Sequence, residues 1–195
     1  MSREQILKAI KAHKPPGMTV PEIDRERFKT LLPKAENRRL FMERVAEAGG
    51  SVVNVPEKEL KSVLCETYGG FEKINDRSGK TALTTFTPDE KDTETLETLE
   101  VLIVEGKFGV TENGAVWLPE THCAVRVLPF ITKHLVILLP AEALVETMHE
   151  AMDRLGKDTE AYGVFVSGPS KTADIEQSLV IGAHGALSVS VFLYD

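Results

Sequence analysis

The chain has 195 residues, a hydrophobic content of 42%, a charged content of 27% and a formal net charge of -7. Such a chain can build one substantial core, and its negative charge disfavours a large nucleic-acid-binding face. The two cysteines, Cys65 and Cys123, lack C-x-x-C spacing, so we predict neither a disulfide framework nor a metal site. No signal-peptide region and no apolar run of roughly 18 residues is found, which predicts a cytoplasmic protein outside the membrane.

The first segment is predicted to be an amphipathic arm. A helix over residues 2–13 would place Ile6, Leu7 and Ile10 on one face, and the prolines that follow would end it. The apolar stripe is expected to pack on the chain's own core, and the alternative is contact with another subunit in a homo-oligomer. We assign residues 1–34 to this arm and its connector, and residues 35–195 to one domain.

Helices and strands alternate through the rest of the chain. Helices are predicted at 36–48, 57–68 and 141–155, and strands at 51–55, 82–86, 101–104, 115–118, 134–139, 162–166 and 187–194. This alternation indicates an α/β sandwich built on a largely parallel sheet. Ligands in such sheets collect at the carboxyl ends of the strands, so we expect the glycine-rich turns that follow strands to meet there.

The segment 89–100 is the most acidic part of the chain. It holds six acidic residues and one lysine, with Leu96 and Leu99 as its apolar anchors. Charge runs of this kind usually keep a surface solvated. We predict an exposed helical face here and not a metal or partner site.

A glycine-containing turn after the strand at 162–166 is the main candidate for ligand binding. Its candidate residues are Gly168, Pro169, Ser170, Lys171 and Thr172. We predict a helix over 173–181, whose amino end would aim free amides at one point. The turn could hold an anion through these amides, the hydroxyls and the lysine, or it could simply cap the helix beside a solvated lysine. It is not a Walker phosphate loop, because a serine precedes the lysine.

Two further residues bear on this anion site. Asp174 falls in the first turn of the predicted helix, where the helix dipole favours a carboxylate, but it would repel an anion unless Lys171 screens it. His184 lies next to Gly185 in a second glycine-flanked turn. Histidine titrates near neutral pH, so His184 is a candidate for acid–base chemistry or ligand contact; the alternative is a structural histidine.

The run Thr111-Glu112-Asn113-Gly114 is the third feature. Glu112 could present its carboxylate to a substrate, and Gly114 would allow the tight backbone that this needs. The alternative is a plain hairpin turn, for which Asn-Gly is a common signal.

With these residues in hand, the chain resembles the lactate-utilization protein C family, the group built around the LUD domain. The resemblance runs from about Ala35 to Asp195 and is strongest in SGPSKTADIEQSLVIGAHG, which begins at Ser167. Weaker matches start at Glu112 and at Leu128. Three departures from the family pattern are Thr111, Asn113 and Ala186, and they affect the shape of the pocket.

The resemblance implies a three-layer α/β sandwich similar to the glucosamine-phosphate isomerase, ribose-phosphate isomerase and CoA-transferase group. It also implies a component or accessory factor of L-lactate oxidation to pyruvate, which acts with iron–sulfur partner proteins. The chain would bind a small carboxylate or another anion. Its sequence has no recognised flavin, nicotinamide or cluster motif, so we expect no cofactor here and a redox centre on the partners.

Whether the chain is itself an enzyme stays open at this point. Thr111-Glu112-Asn113-Gly114 is similar to the S-E-N-G run that holds the catalytic glutamate of CoA-transferases, which implies Glu112 as a nucleophile. A phosphosugar isomerase is a further alternative, with Lys171 holding the anion and His184 as the base. A similar fold says little about the reaction, so the site must decide.

Overall fold

A sheet of five parallel strands forms the centre of the computed structural model, which describes residues 2–15, 17, 32–156, 161–173, 179–182 and 184–195. The strand order is β1-β11-β6-β3-β2. The strands are β1 (Ser51–Val55), β2 (Ile74–Asp76), β3 (Val101–Glu105), β6 (His134–Pro140) and β11 (Ser188–Tyr194). The predicted α/β class with a largely parallel sheet is confirmed.

Both faces of this sheet are buried. On one face, Val101 and Ile103 pack against helix α3 (Glu57–Tyr68). On the other face, Leu102 and Val104 belong to a second cluster that includes residues of helix α2 (Lys34–Glu47). Successive side chains of a strand point to opposite faces, so strands with a continuous apolar sequence serve both layers.

A second sheet of four strands covers part of the α2 side of the central sheet. Its order is β7-β4-β5-β8, and β5 pairs antiparallel with both β4 and β8. The strands are β4 (Phe108–Val110), β5 (Ala115–Pro119), β7 (Leu144–Val145) and β8 (Gly163–Val166). Its buried side chains Phe108, Val116 and Leu118 join the core cluster on that side. The sequence analysis predicted two of these strands, β5 and β8, but did not separate them into their own sheet.

The remaining helices are short. They are α4 (Thr93–Glu97), α5 (Glu120–Cys123), α6 (Leu128–Ile131) and α7 (Met148–Leu155), with a 3-10 helix at Ala141–Ala143. In the acidic segment, Leu96 and Leu99 are buried, whereas most of its acidic residues are exposed, as predicted. None of the helices in the described ranges is long and apolar enough to cross a membrane.

The strand predicted at 82–86 is absent, and β2 takes its place in the sheet. The hydroxyls of Thr84 and Thr85 accept the backbone N–H groups of Asp76 and Ile74, both at 3.0 Å. Threonine hydroxyls thus accept hydrogen bonds from N–H groups on the outer edge of β2, which a paired strand would normally do. A threonine-rich sequence is compatible with both arrangements, which is why the pattern was misleading.

The helix predicted over 141–155 begins later than expected. Leu144 and Val145 form β7 instead, and Thr147 caps α7 by accepting the N–H of Glu150. Met152, near the end of α7, is exposed.

The prediction of a helix over 173–181 is also wrong. Both ends of this range that the structure describes are strands. Strands β9 (Lys171–Ala173) and β10 (Leu179–Ile181) pair as antiparallel partners, with Lys171 opposite Ile181. Threonine, valine and isoleucine favour extended backbone because branching at Cβ restricts their side chains in a helix. The residues that follow the glycine turn, Lys171–Ala173, thus begin a strand and not the predicted helix.

The N-terminal helix α1 (Arg3–Ala12) forms as predicted, with a capping box between Ser2 and Gln5. None of its residues is buried. The expectation that its apolar stripe packs on the chain's own core is therefore wrong.

Candidate functional site

The two glycine turns of the long motif are in direct contact. The N–H of Ser170 donates to the carbonyl of Ala186 at 3.1 Å, and the N–H of Gly182 donates to the carbonyl of Ser170 at 3.0 Å. A Cβ on Gly185 would stand 2.9 Å from the Cβ of Ser170, so only a glycine allows this approach. The backbone therefore fixes the two turns against each other.

Together the turns line one hollow of about 220 Å³, which we call the motif hollow. Its polar lining comes from Ser167, Ser170, His184 and the backbone of both turns. Its apolar walls include Pro129, Phe130, Leu135, Phe165, Val166, Ala186 and Val189. Ligand pockets for drug-sized molecules measure roughly 300–1,000 Å³. The motif hollow is smaller, which favours a ligand of few atoms.

The motif hollow does not lie at the expected edge of the central sheet. Leu135 and Val189 stand near the amino ends of β6 and β11, whereas Val166 is the last residue of β8 in the second sheet. The strand that leads into the first turn belongs to the second sheet. The rule for carboxyl ends of a parallel sheet therefore does not apply to that strand.

Among the described residues that line the hollow, His184 has the ionisable side chain. It is exposed and directly precedes Gly185. A bound carboxylate would meet the imidazole of His184, the hydroxyl of Ser170 and nearby backbone, with no carboxylate among the described lining residues to repel it. Such a mixture of a few polar groups and apolar walls is typical of small-molecule sites.

Ser167 links the hollow to the turn that carries Glu112. Its hydroxyl donates to the carbonyl of Asn113 at 2.9 Å. The glycine turns after β4 and β8 thus meet, as the sequence analysis expected, although they meet within the second sheet. The Ser167 hydroxyl proton is used in this bond, so only its lone pairs remain for a ligand.

Lys171 is not among the residues that line the motif hollow. Its side chain is exposed and extends to Gly49, so that its Nζ stands 3.2 Å from where a Cβ on that glycine would be. Gly49 follows the carboxyl end of α2, which carries partial negative charge from its free carbonyls. The structure therefore assigns Lys171 to the end of this helix. The side chain of Thr172 and the whole of Asp174 lie outside the described residues.

Glu112 and Gly114 lie apart from the motif hollow. The Glu112 carboxylate accepts the N–H of Met148, the first residue of α7, at 2.8 Å. Gly114 has a φ of 66°, and a Cβ there would stand 2.6 Å from the backbone N of Val45 in α2. Both residues thus have structural roles, in helix capping and close packing. The turn joins a hairpin, since β4 and β5 pair on either side of it, and a functional role of Glu112 stays a prediction.

A second cavity, of about 620 Å³, lies beside this hairpin. It is lined by Leu32, Leu40, Arg44, Thr111, Glu112, Glu146, Thr147 and His149. Glu112 and His184 therefore line different cavities. The two catalytic candidates are not brought together on one ligand.

The neighbouring pair His122 and Cys123 offers no thiolate. Cys123 is buried, and burial raises the pKa of its thiol to about 11. The Nδ1 atom of His122 lies 2.7 Å from the carbonyl of Glu105. The thiol therefore stays protonated and inert at neutral pH.

Sequence reasoning missed the aromatic walls of the hollow. Phe130 reaches it from α6 and Phe165 from β8, and neither belongs to a motif of polar residues. A signal for Phe130 existed, because Leu128-Pro129 resembled a family segment. Phe165 gave no signal beyond an apolar position in a strand.

Residues 34–194 match the LUD domain. The chain belongs to the LUD domain family. It is 30% identical over 105 residues to lactate utilization protein C of Oceanobacillus iheyensis, a match that covers 51% of this chain and 45% of that protein. It is 24% identical over 176 residues to lactate utilization protein C 1 of Bacillus mycoides, with 82% and 73% of the two chains covered. The first match thus spans less than half of the relative's length.

A solved structure has the same fold as this LUD domain chain. A DUF162 family protein from Deinococcus radiodurans superimposes with a TM-score of 0.67 at 16% sequence identity. The superposition covers 84% of this chain and 99% of the other. At this identity the likeness extends to the fold alone.

Proposed function

We propose that this LUD domain chain is a component or accessory factor of L-lactate oxidation to pyruvate, and that it binds a small carboxylate in the motif hollow. The observation that carries the proposal is the junction of the Ser170 turn with the Gly185 turn around one hollow. Family membership and the printed names of the relatives support the role in lactate utilization.

The chemistry divides between binding and electron transfer. Lactate loses two electrons and two protons when its hydroxyl-bearing carbon becomes the ketone of pyruvate, and its carboxylate is unchanged. In this proposal the hollow holds that carboxylate beside His184 and the hydroxyl of Ser170. Iron–sulfur partner proteins accept the electrons. The small volume of the hollow supports a ligand the size of lactate or pyruvate over one the size of CoA.

A thermal-shift screen tests the binding step. Lactate, pyruvate, a sugar phosphate and an acyl-CoA are compared, since a ligand at 100 times its Kd stabilises the folded state by about 2.7 kcal/mol. We expect stabilisation by lactate or pyruvate that is lost in His184→Gln and Ser170→Ala. His13→Gln, an exposed histidine at the end of α1, is the matched control and should keep the shift. A shift that survives both hollow variants would contradict the proposal.

Reconstitution tests the role in oxidation. The purified chain is mixed with the products of its neighbouring genes, and lactate-dependent reduction of an electron acceptor is followed. We expect the rate to fall when this chain is left out or replaced by His184→Gln. Equal rates with and without the chain would rule out the accessory role.

The enzyme alternatives receive less support from the geometry. A CoA-transferase mechanism needs a free Glu112 carboxylate, but this group accepts the N–H of Met148 at the start of α7. A phosphosugar isomerase would need a cation beside His184, and Lys171 extends instead to Gly49. Borohydride trapping after incubation with acyl-CoA would expose a thioester on Glu112, and Glu112→Ala is its control.

A further inference from the structure

The N-terminal helix α1 exposes an apolar face. Ile6, Leu7 and Ile10 are 46%, 44% and 61% exposed. Helices shorter than about 12–15 residues are marginal in water by themselves, and most gain their stability by packing an apolar face. A ten-residue helix with a capping box and an exposed apolar stripe would therefore gain stability by packing that stripe on a surface.

The same chain carries an uncovered apolar surface elsewhere, which we call the rim patch. It consists of Val127, Phe130, Ile181 and Leu187, all 40–50% exposed. The N–H of Phe130 donates to the carbonyl of Val127, and Leu187 is tied through its N–H to Lys133, which follows α6. Leu187 also covers Gly182, the neighbour of Ile181. These links place the four residues near one another, and Phe130 also lines the motif hollow.

The arm and helix α4 carry opposite charges, and the basic residues next to the rim patch, Arg126 and Lys133, are paired with Glu120 and Glu100. Residues 3–14 hold four basic side chains and one acidic side chain, so the arm is positive although the whole chain has a net charge of -7. Helix α4, which packs against α6 beside the rim patch, contains Glu94 and Glu97, and both are exposed. Complementary charge of this kind fixes orientation and selects partners.

We propose that α1 of one copy of this chain docks on the rim patch of a second copy, with its lysines facing Glu94 and Glu97. Exchange of the arms by a twofold axis gives a closed dimer with two identical contacts. This inference does not depend on the ligand of the hollow.

Sedimentation velocity of the full chain over a range of concentrations tests the dimer. We expect a reversible dimer whose Kd rises at least tenfold in Ile10→Asp and in Val127→Asp. Both positions are exposed, so the variants should keep the fold, which circular dichroism checks. Met152→Asp, at a 57% exposed position on α7 outside both surfaces, is the matched control and should dimerise normally. A monomeric wild type, or a dimer that tolerates Ile10→Asp, would overturn the proposal.

Mixing the variants identifies the occupant of the patch. Ile10→Asp supplies an intact patch and Val127→Asp an intact arm, so an equimolar mixture should recover heterodimers with one native contact. Reversal of charge at Lys8 and Lys11 to glutamate should weaken the dimer, and Glu94→Lys with Glu97→Lys in the same chain should restore it. A mixture that stays monomeric would overturn the proposal. Slow hydrogen exchange of α1 in a monomer would also overturn it, because the arm would then pack on its own chain. Binding of a monomer to anionic vesicles through Ile10 would overturn it as well.

Discussion

At the scale of single residues, two glycines with the same backbone angle differ in their surroundings. Gly168 has a φ of 73° and Gly79 a φ of 71°, but a Cβ on Gly168 would clash with the carbonyl of Ala48, whereas Gly79 faces open space. Gly79→Ala should lower the free energy of unfolding by about 1–2 kcal/mol, the cost of a left-handed residue with a Cβ. Gly168→Ala should cost roughly 1–3 kcal/mol more, because backbone must move. Equal losses in urea denaturation would show that the approach to α2 is not needed.

Glu112 allows a second prediction at this scale. Glu112→Gln removes the charge at the amino end of α7 but keeps an acceptor for the N–H of Met148. We expect a loss of stability of at most about 1 kcal/mol and an unchanged affinity for pyruvate, since Glu112 does not line the motif hollow. Calorimetric titration with pyruvate measures the affinity. A loss of binding in this variant would place the ligand in the second cavity.

Single residues also show what the sequence could reveal about the site. Ser170, His184 and Gly185 were recognisable because glycines beside polar side chains mark turns with accessible groups. The direction of Lys171 was not, because it depends on Gly49, a distant residue that becomes a neighbour only in the folded chain. The aromatic walls were hidden for a similar reason: an apolar residue in a strand signals burial but not the cavity that it borders.

At the scale of elements, the end of β2 depends on one carboxylate. Asp76 accepts the N–H and hydroxyl of Ser78 at 2.9 and 2.6 Å, and also bonds the N–H and hydroxyl of Thr81. Burial alone would raise the pKa of Asp76, but these four hydrogen bonds outweigh it and lower the pKa below the ordinary value of 3.8. The lowered pKa means that ionised Asp76 favours the folded state.

The prediction from this loop is a pH-dependent difference in stability. Asp76→Asn should lower the free energy of unfolding by about 1–3 kcal/mol at neutral pH, because an amide cannot accept all four bonds. The difference should be complete above the ordinary aspartate pKa and should shrink as the pH falls through the lowered pKa of Asp76. Urea denaturation of both proteins from pH 6 to pH 3 measures it. A difference that is constant with pH would contradict the assigned hydrogen bonds.

Elements with strong periodicity were predicted well, and those set by tertiary pairing were not. Helix α3 has the predicted bounds because Leu60 and Leu64 recur at helical spacing. By contrast, Leu144 and Val145 fit a helix as well as a strand, and β7 exists because β4 offers a free edge to it. Strands β9 and β10 likewise exist because each pairs with the other. Short apolar runs take the structure that their neighbours complete.

At the scale of the whole molecule, the division into an arm at 1–34 and a domain at 35–195 stays a prediction. Since no residue of α1 is buried, removal of residues 1–14 should change the free energy of unfolding by no more than about 0.5 kcal/mol in dilute solution. Urea denaturation of the shortened and full chains at low concentration tests this. A larger loss would mean that the arm stabilises its own chain.

The central claim is that the two motif turns form one binding site, and amide NMR with pyruvate tests it most directly. The ¹⁵N-labelled full chain is titrated, and the chemical-shift change of each backbone amide is mapped. We predict that the largest saturable changes fall on Gly168, Ser170, Gly185 and Ala186, the residues that join around the motif hollow. Changes that cluster instead around Glu112 and Thr147, or no saturable change at all, would contradict the claim.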